Sequence, residues 1–469
     1  MWNFSSFQER YAVIDEFGTT LTYRELDMEG TKLANVIGKR CLVFSLCSNT
    51  IGSVLGYTAF VNHNIVAGLL NAQLEEGLLQ DLIATYEPAY LWVPVSKKDA
   101  FANYVSVYEN FEYSLLEAKQ KTEYSLYEEL GLLLTTSGST GSPKFVRQSY
   151  ENIKSNAEAI ADYLSLDENE KPITTLPMNY TYGLSIINSH FLVGATLLVT
   201  DKSILQKEFW NFFKEQEATS FGGVPYTYEI LDKMRFMRMK LPSLRTVTQA
   251  GGKLSPELHK KFAEWALKEG KNFIVMYGQC EATARMAYLP NDKSLEKYGS
   301  MGIVIPGGKF HVIDDEGNTI NMPGVSGELV YEGPNVTLGY AECQADLGKG
   351  DERNGLLKTG DMAQFDADGY YYLVGRKKRF LKIYGNRVNL DEIDRMIKTH
   401  FEYIECASTG IDDHMYIFIT DETLADQIKE FVVNKTVLYQ LAFKVVVLDE
   451  IPKNDSGKTR YRELEKYYK

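Results

Sequence analysis

Short apolar runs alternate with longer amphipathic stretches from residue 41 onward, and this alternation constrains the fold more than any other feature of the sequence. The runs are rich in β-branched and aromatic residues, which predicts buried strands, and the stretches between them have helical periodicity. Strands separated by helices favour a parallel, doubly wound α/β core. The predicted strands are CLVFSL (41–46), AYLWVPV (89–95), LGLLLTT (130–136), ATLLVT (195–200), LRTVTQA (244–250) and NFIVMYG (272–278), and the clearest helices are ENIKSNAEAIADYL (151–164) and SPELHKKFAEWALKEG (255–270).

The pattern changes after about residue 300. Glycine-punctuated strands such as KFHVIDDEGNTI (309–320) and GELVYEGPNV (327–336) predict a small antiparallel sheet, with DDEGN (314–318) as a hairpin turn. Before this change, the predicted helix 255–270 opens with Ser255 as its N-cap, followed by Pro256 and Glu257 in its first turn.

Beyond the basic segment GRKKR (375–379) the chain predicts a compact α+β unit. We therefore predict a large N-terminal domain, residues 1–376, whose β-rich part is about 300–376, and a small, mobile C-terminal domain, residues 377–469. The segments behind this unit are the helices LDEIDRMIKTHF (390–401) and ETLADQIKEFVVNKT (422–436), the hairpin ASTGIDDHMYIFIT (407–420) and the strand AFKVVVLDEIP (442–452).

Charge and cysteine content restrict the function classes. A net charge of -13 argues against an extended surface for nucleic acid or anionic membranes, and the one basic cluster, GRKKRFLK (375–382), is expected to be a solvated charged face. Five scattered cysteines indicate neither a disulfide framework nor a metal site. With no signal-peptide pattern and no long apolar run, we expect a cytoplasmic enzyme without membrane insertion.

The segment SGSTGSPK (137–144) follows a predicted strand and has the chemistry of a polyphosphate-binding loop. Gly138 and Gly141 permit close backbone approach, so that successive N–H groups can line an anion nest. Ser137, Ser139 and Thr140 add hydroxyl donors and Lys144 adds a positive charge. A flexible Gly/Ser turn is the simpler alternative. This segment does not match the Walker A register, because Pro143 stands where that motif requires its second glycine.

The loop resembles the phosphate-binding signature of the adenylate-forming enzymes, which include acyl- and aryl-CoA synthetases, peptide-synthetase adenylation domains and luciferases. MYGQCEATARM (276–286) is similar to a second segment of that family. The resemblance implies ATP and Mg²⁺ as cofactors, with Tyr277 beside adenine and Glu281 as the metal ligand. Mg²⁺ does prefer one or two carboxylates plus phosphate oxygens. Cys280 departs from the family, which usually has a phosphate-contacting threonine there.

LKTGDMAQFDADGYYYLVGRKKRFLKIYGNRVNLDEID (357–394) resembles a third family segment. By that resemblance Asp361 accepts hydrogen bonds from the ribose hydroxyls, and Arg376 contacts ribose or phosphate. Lys378 takes the hinge position, and Gly385 lies on the loop that approaches the pantetheine thiol arm.

IPKNDSGKTRYREL (451–464) places Lys458 where the family has its catalytic lysine near the chain end. Its charge would stabilise the transition state of adenylation. Thr140 and Lys144 are the other expected catalytic residues. The complete implied ATP site comprises Ser137, Gly138, Ser139, Thr140, Gly141, Lys144, Gly251, Gly252, Tyr277, Gly278, Cys280, Asp361 and Arg376.

The acid pocket implied by the resemblance contains Tyr180, Tyr182, Val224, Gly251 and Gly252. The segment LPMNYTYGLSIINSH (176–190) lacks the acidic residue with which amino-acid-activating relatives hold the ammonium group. An unpaired ammonium group in an aromatic pocket would be costly, so an aryl or short-to-medium acyl acid is expected. Ordinary core packing is the alternative role for the two tyrosines.

These features predict an AMP-forming ligase that converts a carboxylic acid into an acyl adenylate. The acyl group would then pass to the thiol of coenzyme A or of a phosphopantetheinyl acyl carrier protein. Four alternatives stay open: an amino-acid-adenylating enzyme that loads a carrier protein, an enzyme with an amine or hydroxyl acceptor, a degenerate relative that binds its ligand without turnover, and a kinase or P-loop ATPase that releases ADP.

Overall fold

The computed structural model describes residues 1–135, 144–383, 386–401, 404–436, 438–453 and 459–468. The chain forms two compact units. Among the described residues, the first unit comprises 1–135, 144–310 and 331–357, and the second comprises 311–330 and 358–468. Part of the predicted β-rich region therefore groups with the C-terminal residues. The predicted domain boundary at 376 and the mobility of residues 377–469 stay predictions.

Eight helices belong to the first unit and three to the second, among the residues that the structure describes. None of them is long and apolar enough to span a lipid bilayer. The helices are α1 (Tyr23–Ile37), α2 (Ile51–Asn62), α3 (Glu76–Tyr86), α4 (Tyr150–Tyr163), α5 (Thr181–Leu192), α6 (Lys207–Glu215), α7 (Pro225–Lys233), α8 (Pro256–Lys268), α9 (Leu390–His400), α10 (Ala425–Lys435) and α11 (Tyr461–Leu464).

Each of the six apolar runs predicted as strands overlaps a strand of the first unit. The strands that the structure describes are numbered through both units. They are β1 (Tyr11–Asp15), β2 (Thr20–Thr22), β3 (Leu42–Cys47), β4 (Val66–Asn71), β5 (Tyr90–Pro94), β6 (Tyr104–Asn110), β7 (Tyr113–Ala118), β8 (Leu130–Thr135), β9 (Phe145–Ser149), β10 (Leu197–Val199), β11 (Ser220–Gly223), β12 (Thr246–Gln249), β13 (Asn272–Tyr277), β14 (Ala287–Tyr288), β15 (Ile303–Val304), β16 (Lys309–Ile313), β17 (Gly327–Glu332), β18 (Gly339–Ala341), β19 (Leu356–Phe365), β20 (Tyr371–Arg376), β21 (Phe380–Ile383), β22 (Asn386–Asn389), β23 (Cys406–Ile411), β24 (His414–Ile419) and β25 (Phe443–Val447).

The largest sheet has eight strands in the order β18-β9-β8-β4-β3-β5-β7-β6. Its centre, β8-β4-β3-β5, is parallel, as the alternation of strands and helices predicts. The outer strands pair antiparallel, including β8 with β9 and β9 with β18. β9 follows β8 too closely in sequence for a parallel crossover, which needs about a dozen residues or more, so the two strands pair antiparallel. Residues 136–144, between these strands, include the predicted phosphate-binding segment.

A second sheet in the same unit has the order β11-β12-β13-β14-β15. Strands β11, β12 and β13 are parallel and in register, so their carboxyl ends lie at one edge of the sheet. Ligands of α/β proteins bind at such edges. Helix α8 returns the chain from β12 to β13 and is N-capped as predicted, with the Ser255 hydroxyl accepting a bond from the Leu258 N–H at 3.2 Å.

The second unit contains antiparallel sheets and a small α+β region. One sheet has the order β16-β17-β19-β20, β21 pairs with β22, and β23-β24-β25 form a third sheet. Helices α9 and α10 pack on this last sheet through a core that includes Ile393, Ile397, Ile428 and Val432. The predicted helix, hairpin, helix and strand are thus confirmed. The predicted DDEGN turn also forms, with Asp314 Oδ1 accepting from the N–H groups of Glu316 and Asn318.

Candidate functional site

Of the residues predicted to bind phosphate in the segment 137–144, the structure describes only Lys144. Ser137, Gly138, Ser139, Thr140 and Gly141 lie outside the described residues. Lys144 immediately precedes β9, which pairs with β18 so that Val146 lies opposite Tyr340. This register brings the Lys144 ammonium to 3.8 Å from the centroid of the Tyr340 ring. The face of the phenol thus holds the lysine by a cation–π contact.

Tyr340 also holds the predicted metal ligand. Its hydroxyl donates a 2.7 Å hydrogen bond to Oε1 of Glu281. Burial, and next the neighbouring Glu281 carboxylate, raise the pKa of the Tyr340 hydroxyl far above its usual range. Because the phenol stays protonated, it acts as a donor throughout the physiological pH range. A single aromatic side chain therefore orients both Lys144 and Glu281.

The backbone of Glu281 is fixed by a second set of bonds. Its carbonyl accepts from the N–H of Thr337 at 3.0 Å, from the Thr337 hydroxyl at 3.0 Å and from the Arg353 guanidinium at 3.2 Å. Arg353 lies 4.7 Å from the Tyr340 ring centroid and also donates to the Thr337 hydroxyl. The sequence analysis did not assign a role to Thr337, Tyr340 or Arg353. In the sequence, Thr337 and Tyr340 nevertheless follow directly after the segment GELVYEGPNV (327–336), part of which was predicted as a strand.

The turn after β13 carries Tyr277, Cys280 and Glu281 in a tight geometry. A Cβ on Gly278 would lie 1.5 Å from the carbonyl oxygen of Ala284, so only glycine fits there. Thr283 has φ 58° and Ala284 has φ 142°, conformations that side-chain-bearing residues rarely adopt. Such strain persists only where surrounding bonds enforce it, and strained residues cluster at functional sites.

Tyr277 lies at the end of β13, and Cys280 lies in the turn that follows it. Tyr277 is 8% exposed, and its hydroxyl accepts a 3.3 Å hydrogen bond from the side-chain amide of Gln279. Cys280 is half-buried and packs against the main core of the first unit. Adenine stacking by Tyr277 and phosphate contact by Cys280 stay predictions.

Magnesium binding by Glu281 is compatible with the donors present. No group of three His, Cys, Asp or Glu side chains forms a cage in the part of the chain that the structure describes. Mg²⁺ is commonly held by one or two carboxylates together with substrate phosphates and water, so one half-buried glutamate fits this mode of binding. Tyr340 bonds Oε1 only, and no described residue donates to Oε2.

The residues of the predicted acid pocket come together at the carboxyl edge of the second sheet. Gly251 has φ 83°, and a Cβ on it would lie 2.5 Å from the Tyr180 hydroxyl and 3.1 Å from a methyl of Val224. A Cβ on Gly252 would lie 3.0 Å from Pro225. A side chain at Gly251 would therefore collide with Tyr180 and Val224, and one at Gly252 would crowd Pro225. Their role in binding acid or ATP stays a prediction.

Tyr182 differs from Tyr180 in its surroundings. It is 2% exposed, and its hydroxyl bonds the carbonyl of Thr248 at 2.8 Å. It packs in a cluster with Leu176, Ala250 and Met276, which favours the alternative of core packing. Above its ring lies the guanidinium of Arg285, with Cζ 3.9 Å from the ring centroid. Sequence reasoning missed Arg285, although it lies within the MYGQCEATARM segment.

The second unit contains a separate group of predicted residues. Asp361 on β19 lies opposite Arg376 on β20, with 3.5 Å between the Arg376 Nε and Asp361 Oδ1. The carboxylate is buried, whereas 68% of the arginine side chain is exposed. Lys378 is exposed in a short turn after β20. Gly385 and Lys458 lie outside the described residues.

The basic segment 375–382 is not a uniformly solvated face, and this expectation was wrong. Arg379 is 8% exposed and bonds Asp391 at 2.8 Å and Asp394 at 2.9 Å, on helix α9. Lys377 bonds Glu328 at 2.8 Å. The acidic partners are distant in sequence, so a local charge count could not show that they pair with these bases.

The chain is similar in sequence to known proteins. A profile of the AMP-binding enzyme family matches residues 2–341. The chain is 28% identical over 351 residues to an oxalate–CoA ligase of Arabidopsis thaliana, covering 72% of this chain and 67% of that protein. It is 26% identical over 477 residues to a 2-succinylbenzoate–CoA ligase of Geobacillus sp. strain WCH70, covering 97% and 94%.

The fold is also similar to that of solved structures. The structure of o-succinylbenzoate coenzyme A synthetase from Bacillus subtilis, in complex with ATP and magnesium ion, matches with a TM-score of 0.80 at 23% identity. The match covers 97% of each chain. Several plant relatives are matched over only 61% to 67% of their length, about two thirds. The family profile nevertheless spans most of this sequence, and the chain belongs to the family of AMP-binding enzymes.

Proposed function

We propose that the protein is an ATP-dependent, AMP-forming ligase that activates a carboxylic acid and transfers the acyl group to a thiol. The observation that carries this proposal is the arrangement of Lys144, Tyr340 and Glu281. One phenol positions a cation and a carboxylate at the start of β9 and the end of β13. A fixed cation and a carboxylate able to hold Mg²⁺ suit a polyphosphate ligand.

In the first step, a carboxylate oxygen of the acid attacks the α-phosphorus of ATP. The new bond joins that oxygen to phosphorus, and the bond from phosphorus to pyrophosphate breaks, which leaves an acyl adenylate. Lys144 and Lys458 would stabilise the negative charge on the phosphates as this bond breaks. Asp361 would accept hydrogen bonds from the ribose hydroxyls. Mg²⁺, held by Glu281, would neutralise phosphate charge.

In the second step, a thiol sulfur attacks the acyl carbonyl and AMP leaves. Coenzyme A is the proposed acceptor, because the relatives that match over most of their length are CoA ligases. The phosphopantetheine of an acyl carrier protein carries the same thiol arm and is the second candidate. A competition assay with free coenzyme A and a loaded carrier protein distinguishes the two acceptors.

A carboxylic acid without an α-ammonium group is the proposed substrate. The cluster around Tyr180 and Val224 is apolar and aromatic, and the cation of Arg285 acts electrostatically on the Tyr180 hydroxyl. A positively charged neighbour repels an ammonium group. This supports acids over amino acids.

Acid-dependent exchange of labelled pyrophosphate into ATP tests the proposal. We expect exchange with a subset of carboxylic acids and none without acid. Exchange with amino acids alone would favour the carrier-loading alternative. Specific binding of ATP without any exchange would favour a homologue that has lost turnover.

A further inference from the structure

Arg285 is a buried cation without a counter-ion in the described part of the chain. The residue is 2% exposed, and no described carboxylate lies within 4.0 Å of its guanidinium. Its Nε makes no hydrogen bond. The guanidinium contacts the ring of Tyr182 and also interacts with the hydroxyl of Tyr163. A cation–π contact and an interaction with a neutral phenol do not offset the desolvation of a full charge.

Arg147 and Arg379, the other buried arginines among the residues whose burial is described, show how this fold satisfies such a charge. Arg147 donates to the carbonyls of Leu338 and Tyr340 and pairs with Glu352 at 2.5 Å. Arg379 pairs with two aspartates. Arg285 therefore differs from both in lacking an acidic partner, which points to a partner that comes from outside the chain.

The backbone holds Arg285 firmly in this position. Its carbonyl accepts from the amide of Asn156 at 3.0 Å and from the amide of Asn335 at 2.9 Å. The strained residues Thr283 and Ala284 precede it directly. The strained backbone and the two amide bonds to the carbonyl indicate that the conformation at Arg285 is maintained against a cost.

The guanidinium lies beside the proposed acid pocket. It stands over Tyr182, whose ring centroid is 6.3 Å from that of Tyr180 in an edge-to-face arrangement. The Tyr180 hydroxyl in turn approaches Gly251. Tyr163 and Tyr288, stacked with 4.2 Å between ring centroids, pack against the same cluster. The aromatic walls supply packing and hydroxyl groups but no negative charge.

We propose that Arg285 binds a second carboxylate at the far end of the acid substrate, so that the enzyme activates dicarboxylic acids or acids with an equivalent anionic group. This inference rests on the proposed function, because it assigns the substrate class of the same site. A planar guanidinium binds a carboxylate through two parallel hydrogen bonds, which fixes both the length and the orientation of the substrate. The phosphate of a bound nucleotide has similar chemistry and is the competing ligand.

Matched acid pairs test the assignment. Each pair consists of a dicarboxylic acid and its monomethyl ester, which differ in one charge and keep the same chain length. Pyrophosphate exchange is measured for the wild type, Arg285→Met, Arg285→Lys and the control Arg245→Met, whose side chain is half-exposed and pairs with Glu170. We expect the wild-type preference for the diacid in kcat/KM to fall about 100-fold in Arg285→Met, less in Arg285→Lys, and not at all in the control.

An equal loss with diacid and ester would overturn the inference and assign Arg285 to the nucleotide or to folding. A wild-type enzyme that prefers the ester to the diacid would also overturn the inference. Calorimetric titration of the diacid into each variant separates this result from a failure of the proposed function. Diacid binding that Arg285→Met abolishes, in a protein that shows no exchange, would sustain the carboxylate site and reject the ligase. If the wild type shows neither diacid binding nor pyrophosphate exchange, both the carboxylate site and the ligase function are rejected.

Discussion

The hydroxyl of Tyr340 donates a 2.7 Å hydrogen bond to the carboxylate of Glu281 and thereby couples two strands that are distant in sequence. Tyr340 lies on β18 and Glu281 follows β13. Because β18 also pairs with β9, the strand that begins after Lys144, the position of the lysine depends on the same tyrosine. We infer that Tyr340 is a positioning residue for the proposed phosphate and metal site.

Replacing Tyr340 with phenylalanine tests this role. The ring that contacts Lys144 is kept, but the hydrogen bond to Glu281 is lost. A hydrogen bond to a charged group contributes about 2 kcal/mol, so kcat/KM for ATP should fall about 30-fold and the apparent KM for Mg²⁺ should rise. Tyr90→Phe is the matched control, because Tyr90 donates to Glu117 at 3.2 Å away from the site. Equal effects of the two substitutions would refute the positioning role.

Glu281→Gln isolates the charge of the proposed metal ligand. The glutamine oxygen still accepts from Tyr340, so the fold should be retained. We expect pyrophosphate exchange to fall more than about 100-fold, since electrostatic stabilisation of phosphate charge is a large part of catalysis. The unfolding midpoint should change little. Retention of most of the activity at saturating Mg²⁺ would show that another group holds the metal.

Cys280→Thr should increase activity. A threonine hydroxyl is a stronger hydrogen-bond donor than a thiol, and the extra bond to phosphate is worth about 1 kcal/mol, or roughly a 5-fold rise in exchange rate. Cys280→Ala serves as the control without a donor. If threonine and alanine give the same rate, residue 280 does not contact the phosphates.

Asp361→Ala tests the proposed ribose contact by comparing ATP with 2′-deoxy-ATP. The wild type should prefer ATP, because a carboxylate that accepts from both ribose hydroxyls loses one bond with the deoxy nucleotide. In the variant this preference should fall about 10-fold or more. Asp315→Ala, an exposed carboxylate 3.8 Å from Lys377, provides the control. Unchanged discrimination in Asp361→Ala would remove the residue from the ribose site.

His259 predicts a specific loss of stability in acid. Burial lowers its pKa from 6.5 to about 4, and its Nδ1 accepts a 3.1 Å bond from the N–H of Gly299. Between pH 6.5 and 4 the unfolded chain binds the proton and the folded chain does not, so stability is lost as the pH falls through this range. The loss amounts to about 3 kcal/mol. Urea unfolding of the wild type and His259→Gln should show this pH-dependent difference, and parallel curves would contradict it.

The strands and helices of the parallel core could be predicted because their signals are local. Runs such as 41–46 and 272–278 are apolar on both faces, and the Ser255–Pro256 pair marks the start of α8. The antiparallel pairing of β8, β9 and β18 could not be predicted, because it depends on where residues 339–341 return to the sheet. Sequence periodicity carries no information about that return.

The candidate site was predicted where the resemblance covers it and missed where long-range contacts create it. Glu281 and Lys144 lie in recognisable motifs. Tyr340 and Arg353 contact Glu281, which is more than fifty positions away in sequence, and Arg285 is buried against Tyr182 on a helix distant in sequence. Arg379 was expected in a solvated cluster for the same reason, since its acidic partners are on another element.

The fate of a carboxylate oxygen tests the central claim most directly. A substrate acid labelled with ¹⁸O in both carboxylate oxygens is incubated with the protein, ATP, Mg²⁺ and coenzyme A, and the released nucleotide is analysed by mass spectrometry. We predict AMP that carries one ¹⁸O atom, because the acid oxygen bonds to the α-phosphorus and stays there when the thiol displaces AMP. Unlabelled AMP, or ADP as the product, would contradict the proposed reaction.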